Sequence, residues 1–352
     1  MSTPALAFIT NTAELYNHYS AVWKLLPAGS FEVIAGGIEE KPEDIRDFIA
    51  SKGYPCRTLA ETMAEGRRYR HLVSHHPFMS NELPGLNVLA DKQIRFMYGL
   101  GKAGWNFGNW NSVYDAILCF GPYQRAELEK VSKATLIEMG YPRFDSFFDG
   151  SFSREATLQR YNCDAGRKTI VWLPTWSDLA SISRYQDCIA MLGLRFNIIV
   201  KLHPFMRHQC PAETAALQAL PFNAVIDEPI DNVALYQAAD FIFADYGGPM
   251  FGALYTDRNL LLFNLPEAEN HRFLGTTSPD MLIRKLIPSI STPDQTEIWN
   301  LLRNDQLWEE QKRIRAELRR QLFAPYYGFS ARVAADCLMN MDTILALQAK
   351  GK

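Results

Sequence analysis

The chain is predicted to be an α/β protein built from two successive parallel-sheet units. Three observations predict it. Short apolar runs with the length and residue types of buried strands alternate with amphipathic helical stretches. The alternation breaks once, between about residues 140 and 168, and then resumes. Several runs end in glycine, asparagine or histidine, as strands do at the carboxyl edge of an open parallel sheet, where ligands bind. A chain of 352 residues is long enough for two domains of ordinary size.

In the first unit, Leu6–Thr10 reads as a buried strand, and Asn11-Thr12 is expected to cap a helix running to about Leu26. Phe31–Ala35 is a second strand closed by Gly36-Gly37, and Pro42–Lys52 is a helix stopped by Gly53. His71–Ser74, Ile94–Tyr98 and Ala116–Phe120 are further strand candidates. Strands and helices at this spacing imply right-handed crossovers. The second alternation begins at Thr169–Pro174 and continues through Asn197–Leu202, Ala224–Ile226, Phe241–Ala244 and Leu260–Phe263. The last sixty or so residues are helical, with Asp305 as a helix start and a final amphipathic helix running from Ser330 through Leu347. The expected boundaries are 1–150 for the first domain, 151–328 for the second and 329–352 for a terminal helix.

Composition removes several function classes. With 47% hydrophobic and 21% charged residues the chain is an ordinary globular protein, and a net charge of −3 argues against nucleic-acid binding through overall basicity. Its six cysteines form no CxxC pair, so neither a zinc site nor a disulfide framework is indicated, and no cofactor is expected. A cytoplasmic location fits the cysteine usage and the lack of a signal-peptide pattern or a bilayer-length apolar run. Between Leu307 and Leu322, basic residues such as Lys312, Arg313, Arg319 and Arg320 oppose an apolar face. A solvated surface helix is the commoner meaning, and peripheral contact with anionic lipid is the other.

Four stretches place polar groups just past an apolar run: Gly140–Asp145, Leu173–Asp178, Lys201–Pro204 and Asp245–Gly248. Arg143, Lys201 and His203 supply positive charge and donors; Thr175, Ser177 and the Gly247-Gly248 backbone supply neutral donors. That set suits a diphosphate, since adjacent glycines at a helix start let bare N–H groups approach an anion. His75 and His76, following a strand, can serve as a general base, with Asp115, Glu138 and Asp145 as weaker options. Metal binding by His75, His76 and His203 is not indicated, because no carboxylate is grouped with them. Trp105, Phe107, Trp110 and Tyr114, interleaved with small polar residues, read either as a sugar platform or as packing under a glycine-rich loop.

These motifs resemble a family. Leu173-Pro174-Thr175-Trp176-Ser177-Asp178 is similar to the APTWRD stretch of the CDP-glycerol glycerophosphotransferases, enzymes of teichoic-acid and capsule polymers. Gly140–Asp145 resembles that family's GYPRND, Lys201–Pro204 its K-x-H-P, Ala244–Phe251 its TDYSSxxFD, and Gly328–Arg332 its entry to the last helix. The resemblance runs from about Tyr98 to the end, in the family's order. It implies a GT-B fold, two Rossmann-like domains facing a cleft, with the last helix crossing back to the first. It also implies a nucleotide-linked donor bordered by Thr175, His203, Asp245 and the turn after it, and a glycan or lipid-linked acceptor. Two departures stand out. Gly247-Gly248 replaces a serine pair, and Tyr98 occupies the position of the family's proposed base histidine, in Met97–Lys102. Tyr98, Lys102 and Trp105 are therefore the expected acceptor-side residues, with the base role passing to His75 or His76. The expected activity is transfer of a glycosyl, polyol-phosphate or sugar-phosphate group from a nucleotide-activated donor to a hydroxyl of a cell-surface glycan or its lipid-linked precursor. A catalytically silent binding protein and a nucleotide-sugar 2-epimerase are the rival readings.

Overall fold

The computed structural model describes residues 3–37, 40–77, 85–228, 230–275 and 277–350, and the backbone alone of Arg207 and His208. It divides into two compact units. The first comprises Met1–Tyr98, Phe107–Asp145 and Leu322–Lys352, and the second Gly99–Asn106 and Ser146–Gln321. The chain beyond Leu322 therefore belongs to the first unit, and the short segment Gly99–Asn106 belongs to the second.

Among the described residues the first unit holds a seven-stranded sheet. Its strands are β1 (Leu6–Thr10), β2 (Phe31–Ala35), β3 (Cys56–Thr58), β4 (Tyr69–Ser74), β5 (Ala90–Phe96), β6 (Ala116–Cys119) and β7 (Thr135–Glu138). The second holds a six-stranded sheet of β8 (Thr169–Leu173), β9 (Asn197–Lys201), β10 (Ala224–Ile226), β11 (Phe241–Ala244), β12 (Asn259–Phe263) and β13 (Ser289–Ile290). The orders are β3-β2-β1-β4-β5-β6-β7 and β10-β9-β8-β11-β12-β13, and each neighbouring pair is parallel. These are doubly wound sheets. Strand order reverses between β1 and β4 in the first unit and between β8 and β11 in the second, so each unit has one topological switch point where a crevice opens.

Every residue of β1, β2, β8, β9 and β11 is buried. A strand covered on both faces gains from all its apolar side chains, about 1.5–3 kcal/mol for each large one. The strands that the apolar runs did not reveal are β3, β7 and β13, all at sheet edges. Their sequences, CRT, TLIE and SI, are short and mixed because an edge strand needs little burial.

Three local expectations are corrected. Thr12 makes no side-chain cap bond; its carbonyl accepts from Thr10 Oγ1 at 2.8 Å, and the helix behind it ends at Trp23. The helix Asp305–Leu322 is capped by Asn304, whose Oδ1 accepts from Leu307 N at 3.1 Å. The expected terminal helix is two, Ser330–Met339 and Met341–Lys350, broken at Asn340.

Two of the family-like stretches lock together inside the first unit. The Asp145 carboxylate accepts from Ser330 N at 3.1 Å and Ala331 N at 2.6 Å, capping the helix that begins there. Ser330 Oγ in turn accepts from Tyr141 N at 3.0 Å. Gly140, at φ +75°, lies where a Cβ would stand 2.2 Å from Ser330 Oγ, so only glycine fits.

No helix among the described residues is long and apolar enough to cross a membrane. In Asp305–Leu322, Trp308 and Leu318 are buried, Gln311 bonds to both backbone groups of Leu260, and Arg315 pairs with Asp257 at 2.8 Å. The apolar side of that helix is buried, and its outer face mixes Lys312, Arg313 and Arg320 with Glu309, Glu310 and Glu317.

Candidate functional site

The switch point of the second unit gathers most of the expected donor residues. β8 ends at Leu173 and leads to Thr175; β11 ends at Ala244 and leads to Asp245, Gly247 and Gly248; β9 ends at Lys201 and leads to His203. The strand ends alone bring these groups to one edge.

Asp245 is turned inward. Its Oδ2 accepts from Thr175 N and Ser181 N, both at 2.9 Å, and the residue is 1% exposed. Burial pushes its carboxyl up to about 6, against hydrogen bonds from Ser181 and Thr175 that favour the carboxylate. Asp245 thus fixes the loop carrying Thr175 and Ser177 rather than presenting an oxygen outward. Thr175 is buried, whereas Ser177 is exposed at φ +62° with its hydroxyl on Asp178.

Of the two glycines, only Gly248 is open. Gly247 adopts φ +96°, ψ −151°, a region glycine alone occupies readily, and its N–H donates to Asp280 Oδ1 at 2.8 Å. The expectation that both backbone donors face a ligand is therefore corrected, since an internal carboxylate takes the first. Gly248 is exposed, begins the helix Gly248–Tyr255, and a Cβ placed on it would meet open space.

Asp280 was not picked out from the sequence, although it sits in the first turn of the helix Pro279–Ile283, where acids are favoured. Fully buried, it accepts from Lys102 N at 2.7 Å, Gly247 N at 2.8 Å and Ser278 Oγ at 2.7 Å. Those bonds join the Gly99–Asn106 segment to the glycine turn. A Cβ at Gly101 would lie 2.5 Å from the Asp280 carboxylate, so a glycine there is a packing requirement. Arg284, also missed, lies over the Tyr246 ring at 3.7 Å and donates to the carbonyls of Asp245, Phe263 and Asp280. It ties together backbone at the ends of β11 and β12.

His203 is held by its neighbours' rings and by one hydrogen bond. Trp176 lies 5.8 Å and Phe205 5.1 Å from it, centre to centre. Phe205 N donates to Nδ1 at 3.3 Å, so the neutral ring carries its proton on Nε2 and offers a donor there. Burial, then Lys102 and Lys201, hold the imidazole down to about 3. The buried Lys201 directs its ammonium to Leu202 O at 2.7 Å. Trp105, 39% exposed, belongs to this unit and meets Phe273 edge-on at 6.2 Å.

Arg143 lies in the first unit. Its Nη1 lies 3.0 Å from His18 Nε2 and its Nη2 3.4 Å from Glu14 Oε1. Since guanidinium only donates, His18 Nε2 accepts. Sequence pattern alone does not single out His18 or Glu14, because nothing in it pairs residue 143 with residue 18.

The first unit's switch point carries the histidine pair. His75 is buried and His76 half-buried, their rings 4.1 Å apart. The Tyr98 ring meets His75 edge-on at 5.3 Å and His18 at 5.9 Å. Burial chiefly, with Arg95 nearby, lowers His76 to about 4 and His75 well below the usual range. Arg95, fully buried, bonds to His75 O and Asn111 Oδ1 and stacks on Trp110 at 4.2 Å. Tyr114 is 4% exposed with its hydroxyl on Ser74. Trp110 therefore covers a buried arginine and Tyr114 is buried on Ser74, which favours packing over a sugar platform. The weaker base candidates are also committed to structure. Asp115 accepts from Gln93 N and Lys92 Nζ at 2.9 Å, Glu138 lies 3.9 Å from Arg125, and Asp145 caps a helix.

Several proteins of known structure share this fold. By sequence, no curated protein matches the chain. Among solved structures, that of the wall teichoic acid polymerase TagF matches at 15% identity and TM-score 0.69, over 99% of this chain and 90% of that one. The Staphylococcus aureus MnaA–UDP structure matches at 10% identity and TM-score 0.60, over 96% and 97%. A Neisseria meningitidis UDP-GlcNAc 2-epimerase bound to UDP-GlcNAc matches at 11% and 0.57, over 96% and 100%. At such identities the likeness speaks for the fold, which is GT-B. The family model of the CDP-glycerol:poly(glycerophosphate) glycerophosphotransferases matches residues 124–333, well over half of the chain. The chain belongs to that family of transferases.

Proposed function

We propose that the protein transfers a glycosyl or polyol-phosphate group from a nucleotide-activated donor to a hydroxyl of a cell-surface glycan or its lipid-linked precursor. The observation that carries this reading is the second unit's switch point, where His203 Nε2–H, Gly248 and Thr175 stand at the carboxyl ends of β9, β11 and β8. Ligands of doubly wound sheets sit at such a point. As the donor bond breaks, negative charge builds on the leaving phosphate, and a preorganised donor such as the His203 N–H stabilises it more in the transition state than in the ground state. His76 is the group assigned the acceptor's proton. It is neutral at pH 7 and half-buried, whereas His75 is enclosed. Burial, then Arg95, holds its pKa at about 4, which makes it a weak base.

The 2-epimerase reading draws on the likeness to two proteins whose structures hold UDP or a UDP-sugar. One experiment separates the readings. The protein is incubated with CDP-glycerol, CDP-ribitol, UDP-sugars and GDP-sugars, with and without lipid-linked glycan acceptors, and free nucleotide, the identity of the nucleotide-linked sugar and donor binding are each measured. Acceptor-dependent release is expected with one donor class. Conversion of a UDP-sugar without acceptor would instead mean an epimerase, and binding without turnover a silent member of the family.

A further inference from the structure

The expected acceptor-side residue Lys102 lies in the second unit, with the donor groups. It has φ +56°, a left-handed conformation that a non-glycine residue adopts only when its surroundings impose it. The surroundings hold it there. Lys102 N donates to Asp280 at 2.7 Å, Ala103 N to Ser278 Oγ at 3.4 Å, and Gly104 N to Phe273 O at 3.1 Å. That backbone directs the side chain across the glycine turn, with Cε 3.9 Å from where a Cβ on Gly247 would stand. The half-buried ammonium makes no hydrogen bond or ion pair among the described residues.

This is unusual placement for a cation. Two carboxylates, Asp280 and Asp178, act on its charge, but both Asp280 oxygens already accept from Lys102 N, Gly247 N and Ser278 Oγ. Asp178 Oδ1 lies 3.6 Å from His271 Nε2 instead. The Lys102 charge also acts on His203, whose Nε2–H has no partner among the described residues. Two hydrogen-bond donors, one of them charged, thus share a field with no protein anion bonded to either. A half-buried charge is costly unless paired, and a charge-assisted bond to a phosphate oxygen meets that need. Lys201, the lysine singled out in the sequence, is bonded to Leu202 O instead.

We propose that Lys102 is a ligand of the donor's diphosphate, its ammonium bonding a phosphate oxygen above the Gly247-Gly248 turn, with Asp280 positioning the segment that carries it. The proposal rests on the nucleotide-donor reading, and inorganic pyrophosphate allows the two to be tested apart. Pyrophosphate binding is measured by calorimetry for the full chain, Lys102→Met, Lys102→Arg and the surface control Lys130→Met, with thermal melts to show that each folds. The expected result is binding by the wild type and by Lys130→Met, at least tenfold weaker binding by Lys102→Met, and partial recovery in Lys102→Arg. Wild-type affinity in folded Lys102→Met, or no pyrophosphate binding by the wild type, overturns the assignment. If pyrophosphate binds through Lys102 but CDP, UDP and GDP do not compete, the anion site stands and the nucleotide-donor reading falls.

Discussion

His203 presents a neutral imidazole with its proton on Nε2, the form that stabilises developing phosphate charge by donating a hydrogen bond. A lysine and a histidine at the end of an apolar run marked that stretch as a ligand edge, and the structure places His203 at the carboxyl end of β9. The tautomer was not legible, because it depends on the Phe205 amide two residues on. Nor was the sorting of the two lysines, since Lys102 is brought to the turn by Asp280, a contact across 178 positions. If the Nε2–H stabilises the leaving phosphate, His203→Ala should lower kcat/KM by about 10²–10³, the usual loss for one such donor. Its melting temperature should change little, since His203 makes one backbone bond and otherwise only ring contacts. Steady-state kinetics with the best donor checks this, and a loss under tenfold would remove His203 from the chemistry.

At the level of the element, the glycine turn after β11 is two positions with different reasons. Gly247 is needed for its backbone, at φ +96° with a buried amide on Asp280, and Gly248 stands free of steric constraint. The sequence showed the pair and its place between strand and helix, but dihedral angles are set by the Asp280 contact and left no local trace. Gly247→Ala should therefore destabilise the fold by about 1–3 kcal/mol through backbone strain. Gly248→Ala should leave stability within about 0.5 kcal/mol, as surface changes away from special features usually do. Denaturant melts of the two variants decide it; equal losses would mean that the left-handed backbone at 247 carries no strain for alanine. The same division between local signal and distant contact runs through the elements. Fully buried strands were legible because burial on both faces demands apolar runs, whereas the edge strands and the Asp145 cap answer to neighbours far along the chain.

Across the whole molecule, the two units carry different acid sensitivities. Burial lowers His18, His75 and His76 in the first unit, and His71 as well despite its Asp342 partner. A histidine whose folded pKa lies below its unfolded value near 6.5 binds fewer protons folded than unfolded, so unfolding takes up protons and stability falls as pH drops below about 6.5. The second unit has His203, at about 3, acting in that direction. It also has Asp245, raised to about 6, whose folded form binds the proton more readily than the unfolded chain, so its contribution improves as pH falls through 6. Several like effects in one unit stand against two opposed ones in the other. Amide hydrogen exchange at pH 7, 6 and 5, corrected for intrinsic rates, should therefore show protection lost first around β1, β4 and β5. Protection around β8, β9 and β11 should persist to lower pH. Earlier opening of the second unit would mean that the buried histidines reach water or anionic partners in the folded state, and His76 would then be a stronger base than its burial implies.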